Sequence, residues 1–116
     1  MSKIYLEKGK VIIDALQGQE IAFTLSSTDI VWADFTELAI DFKRHANMNE
    51  RPIMRVEIGS GLVIEVTKLH VTVAESKTEN LPYQILYWDL KGKQGGKTVA
   101  IMPGELRIDN SVTKLQ

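Results

Sequence analysis

The chain has 116 residues and a mass of 13.0 kDa, with no cysteine, two histidines and a formal net charge of −1. This length predicts one domain, residues 1–116, which can bury enough surface to fold without a disulfide or a structural metal. The lack of cysteine excludes disulfides, thiolate zinc sites and thiol nucleophiles. The balanced charge argues against a dedicated nucleic-acid binder, which usually carries a clear basic excess.

The first ten residues alternate charged and apolar side chains and contain no continuous apolar run of the length of a signal peptide. The longest purely aliphatic runs, such as residues 11–13 and 62–64, have three residues. A membrane-spanning helix needs about 20 predominantly apolar residues. We therefore expect a soluble protein made in a cytoplasm, with no membrane insertion.

Alternation of apolar and polar residues with a period of two dominates the chain and predicts half-buried β-strands. It occurs in residues 20–25, 52–58, 62–66 and 69–73. The apolar positions change from even to odd numbers between Val66 and Leu69, which one uninterrupted strand does not allow. We therefore expect a bulge or a tight turn at Thr67 and Lys68.

Residues 82–90 are apolar on both faces, which is typical of a central, covered strand. We expect this strand to end at the glycine-rich residues 92–96 and to form a hairpin with residues 98–102. Pro103 and Gly104 should then break the pattern, before a last short strand that contains Leu106 and Ile108.

The segment of residues 35–43 fits two structures. Phe35, Leu38, Ala39 and Phe42 have helical spacing, whereas alternate residues from Leu38 to Phe42 fit a strand. We favour a strand over residues 37–43, because every other long apolar run in the chain is one. The polar residues 75–80 are the best place for a single helical turn. Together these elements predict an all-β fold, an Ig-like antiparallel β-sandwich of about seven to eight short strands.

Two patterns resemble known catalytic or nucleotide-binding motifs but lack essential parts. Residues 92–98 end like a phosphate-binding loop, but the required first glycine is Lys91 and a strand, not a helix, follows. Gly59, Ser60 and Gly61 are too short for the nucleophile elbow of a hydrolase. We interpret both as turns, and we expect no catalytic residue and no bound cofactor.

The two histidines, His45 and His70, do not form a repeated metal-ligand motif, so we expect solvated surface histidines and no metal site. Aromatic residues could alternatively form a stacking platform for a sugar; the candidates are Trp32, Tyr83, Tyr87 and Trp88. Trp88 shares a strand face with leucines, which favours the core. Trp32 lies between strand-like stretches, and we expect it to be partly exposed at an interface.

Three lysines, Lys91, Lys93 and Lys97, lie close to the predicted hairpin tip. We include them with Trp32 as interface candidates, although most such tips are simply solvated. A negative net charge does not favour nucleic-acid binding by this tip.

The order of four segments resembles a family of phage and prophage tail or baseplate structural domains. The segments are residues 17–25, where a glycine and a polar residue precede a strand, and residues 37–43, 71–90 and 103–114. The third segment is similar to the family's most recognisable stretch, a strand, a short polar turn with threonine, and a strand ending in Tyr-Trp-Asp-Leu. The resemblance covers roughly residues 8–114. Within this family, the chain is similar to the N-terminal domain of the upper baseplate protein of Gram-positive phages.

This resemblance implies an Ig-like sandwich that assembles with other virion proteins and has no catalytic residues. It implies a non-enzymatic structural protein whose partners are other virion proteins and further copies of itself in a homo-oligomer, without nucleic acid. Its location would be the bacterial host cytoplasm during assembly and afterwards the virion. The alternative function is a carbohydrate- or receptor-binding module, for which the aromatic residues are the motive, and a small hydrolase ranks third.

Overall fold

A computed structural model describes residues 3–45, 49–79, 81 and 84–109. Its strands, in chain order, are β1 Lys3–Glu7, β2 Lys10–Leu16, β3 Ile21–Ser26, β4 Glu37–Lys43, β5 Met54–Ile58, β6 Gly61–Glu65, β7 Lys68–Val73, β8 Gln84–Gln94 and β9 Lys97–Asp109. A 3₁₀ turn, Trp32–Asp34, precedes β4, and the short helix α1, Glu75–Thr78, precedes β8. Among the described residues, no helix is long and apolar enough to cross a membrane.

The strands follow one hydrogen-bonded order, β1-β2-β9-β8-β4-β5-β6-β7-β3. This order folds into two layers, because the Phe23 ring of β3 and the Trp88 ring of β8 have centroids 6.4 Å apart although the two strands share no ladder. One layer therefore consists of β1-β2-β9-β8-β4-β5 and the other of β6-β7-β3. Their connectivity matches that of an Ig-like sandwich, so the predicted fold class is confirmed.

The chain passes from one layer to the other between β5 and β6. These strands pair in parallel over only two residue pairs, and Gly59 and Gly61, which lie between them and at the start of β6, have φ values of 87° and 106°. A Cβ on Gly61 would lie 2.7 Å from the carbonyl oxygen of Thr72, so only glycine fits this corner. The other parallel ladder joins β2 to β9, and the remaining ladders are antiparallel, as expected.

Two hairpins have two-residue turns with positive φ at both central residues, as in type I′ turns. Lys8 and Gly9 connect β1 to β2, with φ values of 51° and 80°. Gly95 and Gly96 connect β8 to β9, with φ values of 60° and 80°. The glycine-rich segment is therefore a hairpin turn, as predicted.

Several local predictions are confirmed. Residues 37–43 form strand β4, and the helical turn near residues 75–80 is α1. Its Thr78 is fully buried and donates its hydroxyl to the carbonyl oxygens of Gln19, at 2.8 Å, and Glu75, at 3.1 Å. The expected tight turn after β6 is present one residue earlier than predicted, at Val66 and Thr67.

One predicted strand boundary is confirmed and one is wrong. β8 ends at Gln94, within the predicted residues 92–96, and Gly92 lies inside the strand, where a Cβ would meet Phe35 and Leu38. Pro103 does not interrupt β9, which runs from Lys97 to Asp109. β2 pairs with β9 only from Gly104 onward. Pro103, which has no amide hydrogen to donate, is therefore the last residue of the part of β9 that β2 does not cover.

The core lies between the layers and draws on both. Phe42 and Trp88 of the larger layer pack against each other with ring centroids 6.3 Å apart, and Phe23 of the smaller layer contacts the same indole. Leu86, Leu90 and Leu106 of the long β8–β9 hairpin are fully buried in this cluster. The sequence therefore assigns the core face of β9 at Leu106 correctly, but the prediction that β8 is covered on both faces is wrong, because Ile85 on its other face is 43% exposed.

Candidate interaction surfaces

The predicted partial exposure of Trp32 is wrong. Its side chain is fully buried, and its Nε1 donates a hydrogen bond to the carbonyl oxygen of Thr67 at 3.0 Å. The 3₁₀ turn directs the indole under the β6–β7 turn, so a connecting segment adds a large side chain to the core. Trp88 is buried as well, at 3% exposure, whereas Tyr83 lies outside the described residues.

The lysines of the β8–β9 hairpin lie near the surface, but two of them have acidic neighbours. Lys91 Nζ is 3.5 Å from Asp89, and Lys93 Nζ is 3.4 Å from Glu37 on β4. Among the described residues, no carboxylate lies within ion-pair distance of Lys97, which is adjacent to the turn. The hairpin tip is therefore less basic than its sequence indicates.

A shallow depression of about 400 Å³ lies on the outer face of the larger layer, bordered by β4, β5, β8 and the tip of β9. Arg55 on its floor makes a two-pronged contact with Asp41, at 2.6 Å and 3.0 Å, and this carboxylate raises the pKa of Arg55. Lys93 pairs with Glu37 at its rim. Opposite charges are interspersed here, so the depression is a charge-paired strand surface and not an anion site.

The histidines are separated on the surface, as expected. His45 Nδ1 lies 2.7 Å from a carboxylate oxygen of Glu50, and the hydrogen bond to His45 is the main reason that the pKa of Glu50 lies below its ordinary value. Glu50 also accepts the backbone amides of Arg44 and His45. Among the described residues, no group of three histidine or acidic side chains could hold a metal ion.

His70 has the arrangement closest to a catalytic constellation. Its Nδ1 lies 2.9 Å from the Thr24 hydroxyl and its Nε2 lies 3.3 Å from a carboxylate oxygen of Glu65. These residues lie side by side on β3, β7 and β6, on the outer face of the smaller layer. Acyl transfer also needs donors for an oxyanion and a pocket for the substrate, so these contacts on a strand face do not by themselves make a catalytic site.

Strand β1 presents apolar side chains that the sequence analysis did not single out. Ile4 and Leu6 pair with Ile13 and Val11 of β2 and so share the inward face of the larger layer. They are nevertheless 40% and 75% exposed, because the three-stranded layer does not extend over them. The alternation of residues 3–7 predicts this strand. It does not predict how far Ile4 and Leu6 are buried, because that depends on the distant strands of the other layer.

The opposite face of β1 is polar and is tied to β9. The Tyr5 hydroxyl accepts a hydrogen bond from Arg107 Nη1 at 3.1 Å, and burial raises the pKa of the Tyr5 phenol. Glu7 pairs with Arg107 at 3.5 Å, and Lys3 Nζ lies 5.7 Å from the centre of the Tyr5 ring. β1 is therefore a structured edge strand with one charged and one apolar face.

Comparisons with known proteins leave the family open. No family model and no curated protein matches the chain. Among solved structures, it is similar to extracellular domains 3–5 of Drosophila OTK, with 12% identity and a TM-score of 0.36. That match covers 93% of this chain but only 35% of the OTK chain, so this chain spans about a third of the length of that one.

Proposed function

We propose that this protein is a non-enzymatic structural assembly module that acts through contacts at the edges of its sheets. The observation that carries the proposal is the outer edge of β1, which pairs with no other strand in the described part of the chain and where Ile4 and Leu6 are solvent-exposed on the inward face of the larger layer. An unpaired strand is a template for pairing with another chain, and exposed apolar side chains favour its burial. β9 adds a second open stretch before Gly104, where β2 begins to pair with it.

We further propose that the assembly is a phage particle, with this chain as a prophage-encoded component of the tail or baseplate. The resemblance of residues 8–114 to tail and baseplate domains supports this assignment. Its partners would be other virion structural proteins and further copies of itself, without nucleic acid or membrane insertion. It would be located in the bacterial host cytoplasm during assembly and afterwards in the virion.

The alternative function, a carbohydrate- or receptor-binding module, depends on an exposed aromatic platform. Trp32 and Trp88 are 0% and 3% exposed, so neither can stack against a sugar in this conformation. Tyr87, a further candidate, is half-buried, and one ring does not make a platform.

The experiment that tests the virion assignment is prophage induction in the source strain, followed by purification of particles on a density gradient. We expect quantitative mass spectrometry to find the chain in the particle band in several copies per particle. An abundant cytoplasmic enzyme of the host serves as the control for contamination. Recovery of the chain only from the particle-free fraction would contradict the assignment.

A further inference from the structure

Among the described residues, no strand pairs with the outer edge of β1, which leaves a defined set of its backbone groups without a ladder partner. Antiparallel ladders alternate between pairs that exchange hydrogen bonds and pairs that do not. Glu7 and Lys10 flank the two-residue turn and exchange hydrogen bonds, so Tyr5 and Lys3 do the same with their partners on β2. The amide and carbonyl groups of Ile4 and Leu6 therefore point away from β2, toward the open edge.

The sequence of β1, Lys-Ile-Tyr-Leu-Glu, is complementary to itself when read in the opposite direction. In an antiparallel pair of two β1 strands centred on Tyr5, Lys3 of each copy lies opposite Glu7 of the other. Ile4 lies opposite Leu6 on the apolar face. The free backbone groups of Ile4 and Leu6 also face each other in this register, and they satisfy four hydrogen bonds across the edge.

The other registers that keep the two faces aligned are less favourable. A shift of the centre to Ile4 or Leu6 leaves Lys3 or Glu7 opposite tyrosine and loses both oppositely charged pairs. Among the described residues, Lys3 has no carboxylate within ion-pair distance in its own chain, so its charge is available to a partner. Charge thus selects one register and one partner, a second copy of this chain.

We infer that β1 is a homodimerisation edge, at which two copies pair antiparallel about a two-fold axis at Tyr5. The six-stranded layers of both copies then form one continuous sheet, and the apolar side chains of Ile4 and Leu6 pack across the new interface. Such an interface is isologous and closes on itself, so pairing through β1 alone stops at two copies. This inference rests on the proposed assembly role and names its first partner.

A single cysteine at the two-fold axis tests the register directly, because the natural chain contains none. In the inferred dimer Tyr5 faces its own copy as a non-hydrogen-bonded pair, with Cα atoms about 4.5 Å apart, within the range that a disulfide spans. We expect Tyr5→Cys to form a disulfide dimer under mild oxidation. Ala22→Cys, at an exposed position on the edge strand β3, is the matched control and should remain largely monomeric.

A second pair of variants tests the association without a covalent bond. We expect sedimentation equilibrium of the natural chain to show a concentration-dependent approach to twice 13.0 kDa. Leu6→Lys should raise the dimer dissociation constant by about tenfold or more, because the two-fold axis applies the change twice. Val63→Lys, at a position 61% exposed on β6, should leave it unchanged.

The inference is overturned if the natural chain remains monomeric at millimolar concentration, or if Tyr5→Cys and Ala22→Cys cross-link equally. It is also overturned if a dimer forms that Leu6→Lys does not weaken. These results are independent of the particle experiment: a monomer found in virions would remove the dimer but keep the assembly role. A β1 dimer absent from particles would remove the virion assignment and keep the dimer.

Discussion

At the scale of single residues, the contact between Gly104 and Trp88 shows how strongly one position can be constrained. The two residues lie opposite each other on β9 and β8, and the Trp88 indole covers the glycine. A Cβ on Gly104 would lie 2.1 Å from Trp88 Cε2 and 2.2 Å from Cζ2. Phe23 and Phe42 contact the same indole, so it has little room to move away.

We therefore expect Gly104→Ala to destabilise the protein by about 1–3 kcal/mol, the usual cost of overpacking a core. The measurement is urea denaturation followed by circular dichroism, with the shift of the midpoint at a constant slope as the readout.

Trp88→Phe supplies the control, because phenylalanine has a single ring in place of the indole that the methyl group added by Gly104→Ala would meet. Among the described residues the buried Trp88 Nε1 has no hydrogen-bond partner, so phenylalanine loses no hydrogen bond. In this background Gly104→Ala should cost clearly less, with a coupling energy of about 1 kcal/mol or more. An equal cost in both backgrounds would show that the indole is not the obstacle.

The interface candidates show what residue type alone can and cannot predict. Lys91 and Lys93 are charged residues on a strand face, and the prediction that they lie near the surface is consistent with the structure. Trp32 was predicted to be partly exposed because it lies between strands, and it is buried. Its contact with Thr67 joins positions 35 residues apart, and no local pattern carries that information.

At the scale of elements, the sequence predicts strands well where one face is buried. Alternation predicts β5, β6 and β7 close to their observed bounds, because a period of two follows directly from the pleat, whereas the segment of β4 also has helical spacing. It failed to join the two halves of β9 across Pro103. Proline and glycine normally interrupt strands. Here Pro103 lies beside the part of β9 that β2 does not cover, and Gly104 leaves room for the indole of Trp88.

The β6–β7 turn contains a residue that does not suit its conformation. Val66 has a φ of 54°, a region in which a β-branched side chain is strained, and it is 85% exposed. The strain in this region costs an L-residue roughly 1–2 kcal/mol, and asparagine tolerates it better. We expect Val66→Asn to stabilise the protein by about 1 kcal/mol, measured as a rise in the urea midpoint.

Val63→Asn is the matched control for this turn. Val63 is 61% exposed on the preceding strand β6 and has ordinary extended backbone, so asparagine there relieves no strain. It should leave stability unchanged or lower it slightly, because valine suits strands better than asparagine does. A gain of the same size at both positions would contradict the strain argument and point to a general effect of surface polarity.

At the scale of the whole molecule, composition and strand number predict a sandwich, but not the order of its strands. Strand order depends on pairings between distant segments, such as β2 with β9, which lie at opposite ends of the chain. The N-terminal hairpin therefore adds to the larger layer, a placement that local patterns do not reveal. That placement is also what leaves Ile4 and Leu6 uncovered.

The shared core predicts that the two layers unfold together. Phe23 belongs to the smaller layer, but its ring packs on Trp88 of the larger one. We expect Phe23→Ala to cost about 3–5 kcal/mol, which is about a hundredfold or more in the population of the unfolded state. The slowest-exchanging amides of β7 and β8 should then lose protection by the same factor in hydrogen exchange followed by NMR, since both exchange through global unfolding. A loss confined to β3, β6 and β7 would instead show that the layers open separately and that the indole contact does not couple them.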